Sequence, residues 1–315
     1  MNEVEILVIS NKYDFTSDYI CLELKKRGLE YCRINRDTLQ KYSMVLNLEE
    51  LFLSIIIDNK ESLIKKDNLK AIYFRAPIYL RENFTKNISK EQQLYKSQWT
   101  AFIRNLTIYE DVKWMNNPQS TFLAENKPLQ LIYAKRLGFL CPRTFIANSC
   151  YPQIDKHKKY IIKTLDTAVL KIDSKEAFVY SNIISGHEIK NYDLSLSPLF
   201  IQEYIYPKTD IRVTVVDNNI YAVKILQNGE GINTDWREIK NKVEFVPIKL
   251  PQDIEVKCIK LTKSFNLSFG AIDLVETNGR YYFLEINPTG EWAWLVDAAG
   301  LKIFEGICDY LEGKK

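Results

Sequence analysis

The chain has 315 residues, 46% hydrophobic and 26% charged, the balance of a globular protein of two or three domains that buries its cores without staples. A net charge of +3 is too small to argue for nucleic acid or a membrane surface as partner. Six cysteines without a C-x-x-C spacing, and only two histidines, leave zinc, Ser-His-Asp and Cys-His chemistry without their groups.

The scattered cysteines (Cys21, Cys32, Cys141, Cys150, Cys258, Cys308) and a start, MNEVEILVIS, that is acidic and too short for a secretory segment point to the cytoplasm. Residues 5–10 read as a buried strand. SDYICLELKKRG follows as an amphipathic helix closed by Gly28, then EYCRIN as a second strand. LNLEELFLSIIID reads as a strand pair; its apolar run at 51–57 is far short of a membrane span. KAIYFRAP is a further strand ending at Pro77, and an amphipathic helix runs from Lys90 to Leu106 through Leu94, Trp99, Phe102 and Ile103. These elements predict an open α/β domain over residues 1–115.

A polar stretch, MNNPQSTFLAENKP, changes the texture. Pro128 then starts a helix, PLQLIYAKRLG, with Gly138 at its end. Short strands follow in CPRTFIA, KYIIKTL and AFVYSNII, with a basic loop at Lys156-His157-Lys158-Lys159. The last third is mostly strand: PLFIQEYI, DIRVTVV, IYAVKIL, FGAIDLV and RYYFLEIN, with helices at 253–265 and 297–312.

Asp273 in FGAIDLV, followed twelve positions on by Glu285 and then Asn287, forms an oxygen-ligand set suited to Mg²⁺ on two neighbouring strands. Alternation puts Glu285 and Asn287 on one face and Leu284 and Ile286 on the other. An isolated E-x-N of this kind also suits a half-buried hairpin whose polar face meets water. Lys163, on an apolar strand, and Lys127, just before Pro128, can each reach a nucleotide phosphate as a point charge; alone, each reads equally as a solvated lysine. In FIQEYIYPKTDIRV, Gln202 and the backbone from Glu203 through Tyr204 to Ile205 suit an adenine edge, with Glu203 or Asp210 near a ribose. Arg212 offers a planar fork for phosphate or carboxylate, and Lys224 comes from the next strand. A surface ion pair is the plainer role for each. If Arg212 and Lys224 share a face, the hairpin between them needs a three-residue loop at residues 217–219, or a bulge.

In order and spacing, ENKPLQLIYAKRLGFLCPRT, IIKTL, FIQEYI, DIRVTVV, AIDLV and FLEINP resemble the ATP-grasp fold, in which two α+β subdomains clamp ATP. The fold expected is therefore α/β and α+β: a pre-grasp domain at 1–115, a central subdomain at 116–190 and a C-terminal subdomain at 191–315. Asp235-Trp236-Arg237 and the N-P-T-G-E-W-A-W run, with Trp292 and Trp294, are similar to features of the graspetide maturases, ATP-grasp enzymes that macrocyclise ribosomal peptides. Phe74-Arg75-Ala76-Pro77 resembles a further segment of that family, with Ala76 where a second arginine is common. Glu291 stands where glutamine or a similar residue is expected.

The resemblance implies an ADP-forming ligase working through an acyl phosphate, with ATP and one or two Mg²⁺ ions held by Asp273, Glu285 and Asn287. Lys127, Lys163, Gln202, Glu203, Tyr204, Ile205 and Asp210 would bind the nucleotide, and Arg212, Lys224, Asp235 and Arg237 would act at the reacting groups. The partner implied is a precursor peptide, leader plus core, with a homodimer compatible and neither nucleic acid nor membrane expected. A glutamate or other amino-acid ligase acting on a free acceptor or a protein C-terminus, and a non-catalytic ATP-binding regulator, use the same residues and stay open.

Overall fold

The computed structural model describes residues 2–75, 89–149, 154–165, 169–172, 175–178, 181–232 and 235–314. The expected contribution of Ala76 and Pro77 lies outside them.

The N-terminal part holds β1 (Asn2–Glu3), β2 (Ile6–Ser10), α1 (Phe15–Lys26), β3 (Tyr31–Asn35), β4 (Ser43–Asn47), β5 (Phe52–Ile57), β6 (Lys60–Lys65), β7 (Ala71–Phe74), α2 (Lys90–Asn105) and β8 (Lys113–Met115). The order β3-β2-β7-β8 makes a parallel sheet. Its central strand, ILVIS, is buried at every position, as a strand covered on both faces must be. Leu7, Ile9, Ile72 and Phe74 meet Ile103 of α2 on one face. Ile6, Val8, Ala71 and Tyr73 meet Ile20 and Leu24 of α1 on the other. The expected strand pair is β4 and β5, which pair antiparallel and continue into β6 and β1.

The middle of the chain holds α3 (Pro118–Ala124), α4 (Lys127–Arg136), β9 (Thr144–Ala147), β10 (Lys159–Lys163), β11 (Val169–Ile172), β12 (Lys175–Phe178), β13 (Asn182–Ser185), α5 (Gly186–Ile189) and β14 (Leu199–Glu203). The polar stretch thus contains a helix, α3, which starts with Asn117 as N-cap and Pro118 in its first turn. The order β13-β10-β14-β9 forms an antiparallel sheet. AFVYSNII does not run as one strand: β12 pairs with β11, and β13 with β10.

The C-terminal sheet is antiparallel: β15 (Thr209–Val216), β16 (Asn219–Gln227), β17 (Glu230–Gly231), β18 (Glu244–Ile248), β19 (Phe269–Thr277) and β20 (Arg280–Asn287), in the order β17-β16-β15-β19-β20 with β18 on β16. Between them lies α6 (Gln252–Ser264). One face carries Ile211, Val213, Leu274, Phe283 and Ile286, packed with Leu131 of α4 and Cys258 and Leu261 of α6. The expected helix over 297–312 is broken into α7 (Trp294–Ala299) and α8 (Ile303–Glu312). Gly300 causes the break at φ 66, a left-handed conformation that ends the first helix.

Candidate active site

Side chains from the β10–β14 sheet and the C-terminal sheet line a single cavity of about 810 Å³. Asp273 stands directly opposite Arg212 on one side and Glu285 on the other, while Asn287 pairs with Ala271 two positions along. Arg212 Nε lies 3.2 Å from Asp273 Oδ1. Arg237 donates to the other oxygen, Oδ2, at 3.2 Å and approaches Glu285 Oε1 at 4.0 Å. Asp235 caps the short helical turn after it, accepting from the Arg237 backbone at 3.0 Å and from its guanidinium at 3.3 Å. Burial disfavours the Glu285 carboxylate. Lys163, Arg237, Lys127 and Arg212 outweigh that and hold its pKa well below the usual range. Burial also works against the charge on Arg237, and Asp273, Asp235 and Glu285 raise its pKa regardless. This is a focus of charge with four cations around one carboxylate pair.

A bulge completes it. Asp273 pairs with Glu285 but Leu274 pairs with Phe283, so the register slips at Leu284. Phe283 and Ile286 both reach the core behind the sheet, and Leu284 lines the cavity beside Glu285. The alternation expected for Leu284 is therefore corrected: one extra residue turns two consecutive side chains to the same side.

Lys224 is a second correction. Arg212 pairs with Val223 and Val216 with Asn219, so the turn holds two residues, Asp217 and Asn218, with Asp217 at φ 51. Lys224 stands opposite Ile211 on the face away from Arg212, 3.9 Å from Glu276. It is not among the cavity's lining residues.

The other sequence-derived candidates line the cavity: Lys127, Lys163, Gln202, Glu203, Tyr204, Ile205, Asp210, Arg212, Asp235, Arg237, Asp273, Glu285 and Asn287. Lys127 Nζ donates to the Leu165 carbonyl at 3.3 Å. Glu203 pairs with Lys158. Asp210 pairs with Lys208; burial lifts its pKa, with Lys208 opposing. Gln202 is fully buried and its amide donates to Thr144 Oγ1 at 3.1 Å, while Oε1 has no partner among the described residues. A buried acceptor of this kind costs free energy until a donor arrives, and an adenine amino group is such a donor. Among the described residues, no three acidic, histidine or cysteine side chains cluster as metal ligands. The donor set here is two carboxylates and the Asn287 amide, which fits a hard cation that takes the rest of its shell from phosphate and water.

The sequence marked Arg75 and Glu291 only as members of their segments, and the contacts that support the site escaped it. Arg75 is buried and donates to the carbonyls of Thr289 and Gly290 and, at 2.8 Å, to Glu291 Oε1. Thr16 of α1 donates to Glu291 Oε2 at 2.7 Å. Gly290 sits so close that a Cβ there would be 2.4 Å from that of Ala271. Asn116 bridges the start of β19 and the loop after β20, with its amide donating to Phe269 and Pro288 carbonyls at 2.9 Å. Gln130 of α4 accepts from Ile286 N at 3.0 Å and donates to Ile286 O at 2.8 Å, standing in for a neighbouring strand. The hydrogen bonds among these join residues more than 150 apart in the chain, and nothing local in the sequence announces them.

A model of the RimK-like ATP-grasp domain matches residues 168–311. A RiPP-associated ATP-grasp ligase of Chryseobacterium gregarium, solved with ADP and a leader and core peptide, superposes with a TM-score of 0.84 at 25% identity, covering 100% of this chain and 98% of that one. The chain has the ATP-grasp fold. The macrocyclase MdnC of Microcystis aeruginosa MRC, solved with its precursor peptide MdnA, gives a TM-score of 0.81 at 22% identity over 97% of this chain and 98% of that one. The tetrahydromethanopterin:alpha-L-glutamate ligase of Methanocaldococcus jannaschii is 22% identical over 68% of this chain and 77% of its own length. In this ATP-grasp fold the cavity is lined from the β13-β10-β14-β9 sheet and from the C-terminal sheet. Among the described residues no helix is long and apolar enough to cross a membrane.

Proposed function

We propose that this protein is an ADP-forming carboxylate ligase that closes side-chain ester or amide crosslinks in a ribosomally made precursor peptide. The observation that carries this reading is the likeness to a RiPP-associated ligase along the entire chain, N-terminal domain included; the glutamate ligase matches a smaller share. The division at 1–115, 116–190 and 191–315 belongs to the same proposal.

In this reading a side-chain carboxylate of the peptide attacks the γ-phosphorus of ATP, the bond to ADP breaks, and an acyl phosphate forms. An amine or hydroxyl of the same peptide then attacks the acyl carbon. The new C–N or C–O bond replaces the bond to phosphate, which leaves as the nucleophile gives up its proton. The chain's own contribution is positioning and charge. Gln202 Oε1 and the 203–205 backbone receive the adenine edge. Lys127 and Lys163 neutralise phosphate oxygens. Arg212 and Arg237, both already poised on Asp273, hold the transferring phosphoryl group and the substrate carboxylate. Asp235 fixes the Arg237 turn. Asp273, Glu285 and Asn287 would hold Mg²⁺, which when bound supplies further positive charge to the phosphate oxygens.

Incubating the protein with ATP, Mg²⁺ and a precursor peptide encoded beside its gene tests this. The expected products are ADP and a peptide lighter by one water per ring. Arg237→Ala should keep ATP binding and slow crosslinking by about 10²-fold or more. A mass gain that requires added glutamate or another amino acid, with no water loss from the peptide, would transfer the assignment to the amino-acid ligases.

A further inference from the structure

One wall of the cavity is built by the N-terminal domain and α7, and its charges are unbalanced. Arg75 serves two carboxylates there: Glu291 Oε1 at 2.8 Å and Asp14 Oδ2 at 3.6 Å. One guanidinium between two carboxylates leaves a net negative charge. The two acids are not equivalent. The Asp14 side chain is 10% exposed and Glu291 is 66% exposed, and of the two it is Glu291 that lines the cavity. Its carboxylate accepts from Arg75 on one oxygen and Thr16 on the other, which fixes its orientation and leaves acceptor capacity on both. Asp297 of α7, hydrogen-bonded to Tyr19 of α1, adds negative charge on the same elements.

Beside that carboxylate the wall is apolar. Phe15, the first residue of α1, lines the cavity although it is 72% exposed. Trp294 lines it from α7, its ring tilted against those of Trp236 and Phe245. A large exposed ring held at a cavity mouth by a capped helix start is a surface awaiting contact. An aromatic flank ending in a carboxylate matches a long apolar stem that ends in a cation. It matches a short hydroxyl side chain poorly.

We infer that Glu291 is a specificity-determining residue which, with Phe15 and Trp294, receives the ε-ammonium and stem of a lysine; after losing one proton to water the lysine attacks the acyl carbon as the free amine, so that the crosslinks formed are amides. The inference rests on the ligase reading and narrows its substrate. Glu291 orients the incoming nitrogen; the cations around Glu285 act on the other partner, the activated acid.

The test uses the full chain loaded with Mg²⁺ and a non-hydrolysable ATP analogue, with three small probes: Nα-acetyl-lysine methylamide, its Nε-acetylated form, and Nα-acetyl-threonine methylamide. Binding is read by saturation-transfer NMR or calorimetry. The wild-type protein should bind the lysine probe at least about tenfold more tightly than either neutral probe, the scale of one charge-assisted hydrogen bond. Glu291→Gln, which keeps the shape and an acceptor for Arg75, should lose that preference while nucleotide affinity and melting temperature stay as in wild type. Phe15→Ala should weaken the lysine probe with the same two controls unchanged. Equal binding of the lysine and threonine probes, or a preference that survives Glu291→Gln, overturns the inference and leaves the ligase reading standing. Failure of the nucleotide analogue itself to bind overturns the ligase reading, and this inference with it.

Discussion

At the scale of single residues, the site depends on charges that are stable only in each other's company. Glu285 stays ionised despite burial because four cations converge on it. Replacing it by alanine removes a ligand of the proposed metal site and leaves Lys163, Lys127, Arg212 and Arg237 to repel one another. Turnover should fall on the order of 10²-fold or more with the fold retained. A kcat within a few-fold of wild type would remove Glu285 from the metal site. Asp14 illustrates the same balance with a pH signature. Burial works against its carboxylate, but Arg75 and the donors Ser17, Ser10 and Thr16 outweigh it and lower its pKa. A lowered folded pKa means stability that is complete above the unfolded value, near 3.8, and is lost as pH falls through the folded one. Asp14→Asn should therefore cost about 1–3 kcal/mol at neutral pH, in urea unfolding. The gap from wild type should hold constant down to about pH 5 and narrow only in stronger acid. Narrowing already between pH 7 and 5 would mean that Asp14 is not held in its charged form.

At the scale of elements, what the sequence revealed and what it concealed divide along a physical line. Periodicity marks β2, α2, α4 and the C-terminal strands because burial on one or two faces writes itself into consecutive residues. That Asp273, Glu285 and Asn287 meet at one cavity was legible for a similar reason, since acid and amide side chains on apolar strands stand out. Leu284 was misread because a bulge obeys pairing with a neighbouring strand, not local alternation. Lys224 was misplaced because a one-residue difference in a hairpin turn inverts every side chain beyond it. Arg75, Asn116 and Gln130 were invisible as partners because their contacts are long-range. Gln130 carries a prediction here. It satisfies both backbone groups of Ile286, between Glu285 and Asn287, from inside the core. Gln130→Ala leaves a buried donor and acceptor bare and should cost about 2–4 kcal/mol, together with weaker Mg²⁺-dependent nucleotide binding. Gln130→Glu keeps the acceptor and should rescue only part. Unchanged nucleotide affinity in a destabilised Gln130→Ala protein would show that the helix supports the fold without aligning the ligands.

At the scale of the whole molecule, the N-terminal sheet and the C-terminal sheet share a core through α8. Ile303, Ile307, Cys308 and Leu311 of that helix are fully buried, in one cluster with Ile6, Val8 and Tyr73 of the N-terminal sheet and Val216, Phe269 and Ala271 of the C-terminal one. Arg27 at the end of α1 fastens the other side of the contact, bridging Glu23 to Asp309 and Glu312 on α8. Helix α8 is thus a wall of the N-terminal sheet as well, and the Arg75 contact to Gly290 and Glu291 lies on the same seam. Two parts joined in this way should open together. Leu311→Ala removes a fully buried side chain from the shared core and should cost about 2–5 kcal/mol. Hydrogen exchange read by mass spectrometry should then show lost protection in β2 and in β15 alike, since both lean on the same helix. Protection that falls in one sheet while the other keeps its wild-type rates would mean that the domains unfold independently. In that case, the alignment of Glu291 with the cavity could not depend on the packing of α8.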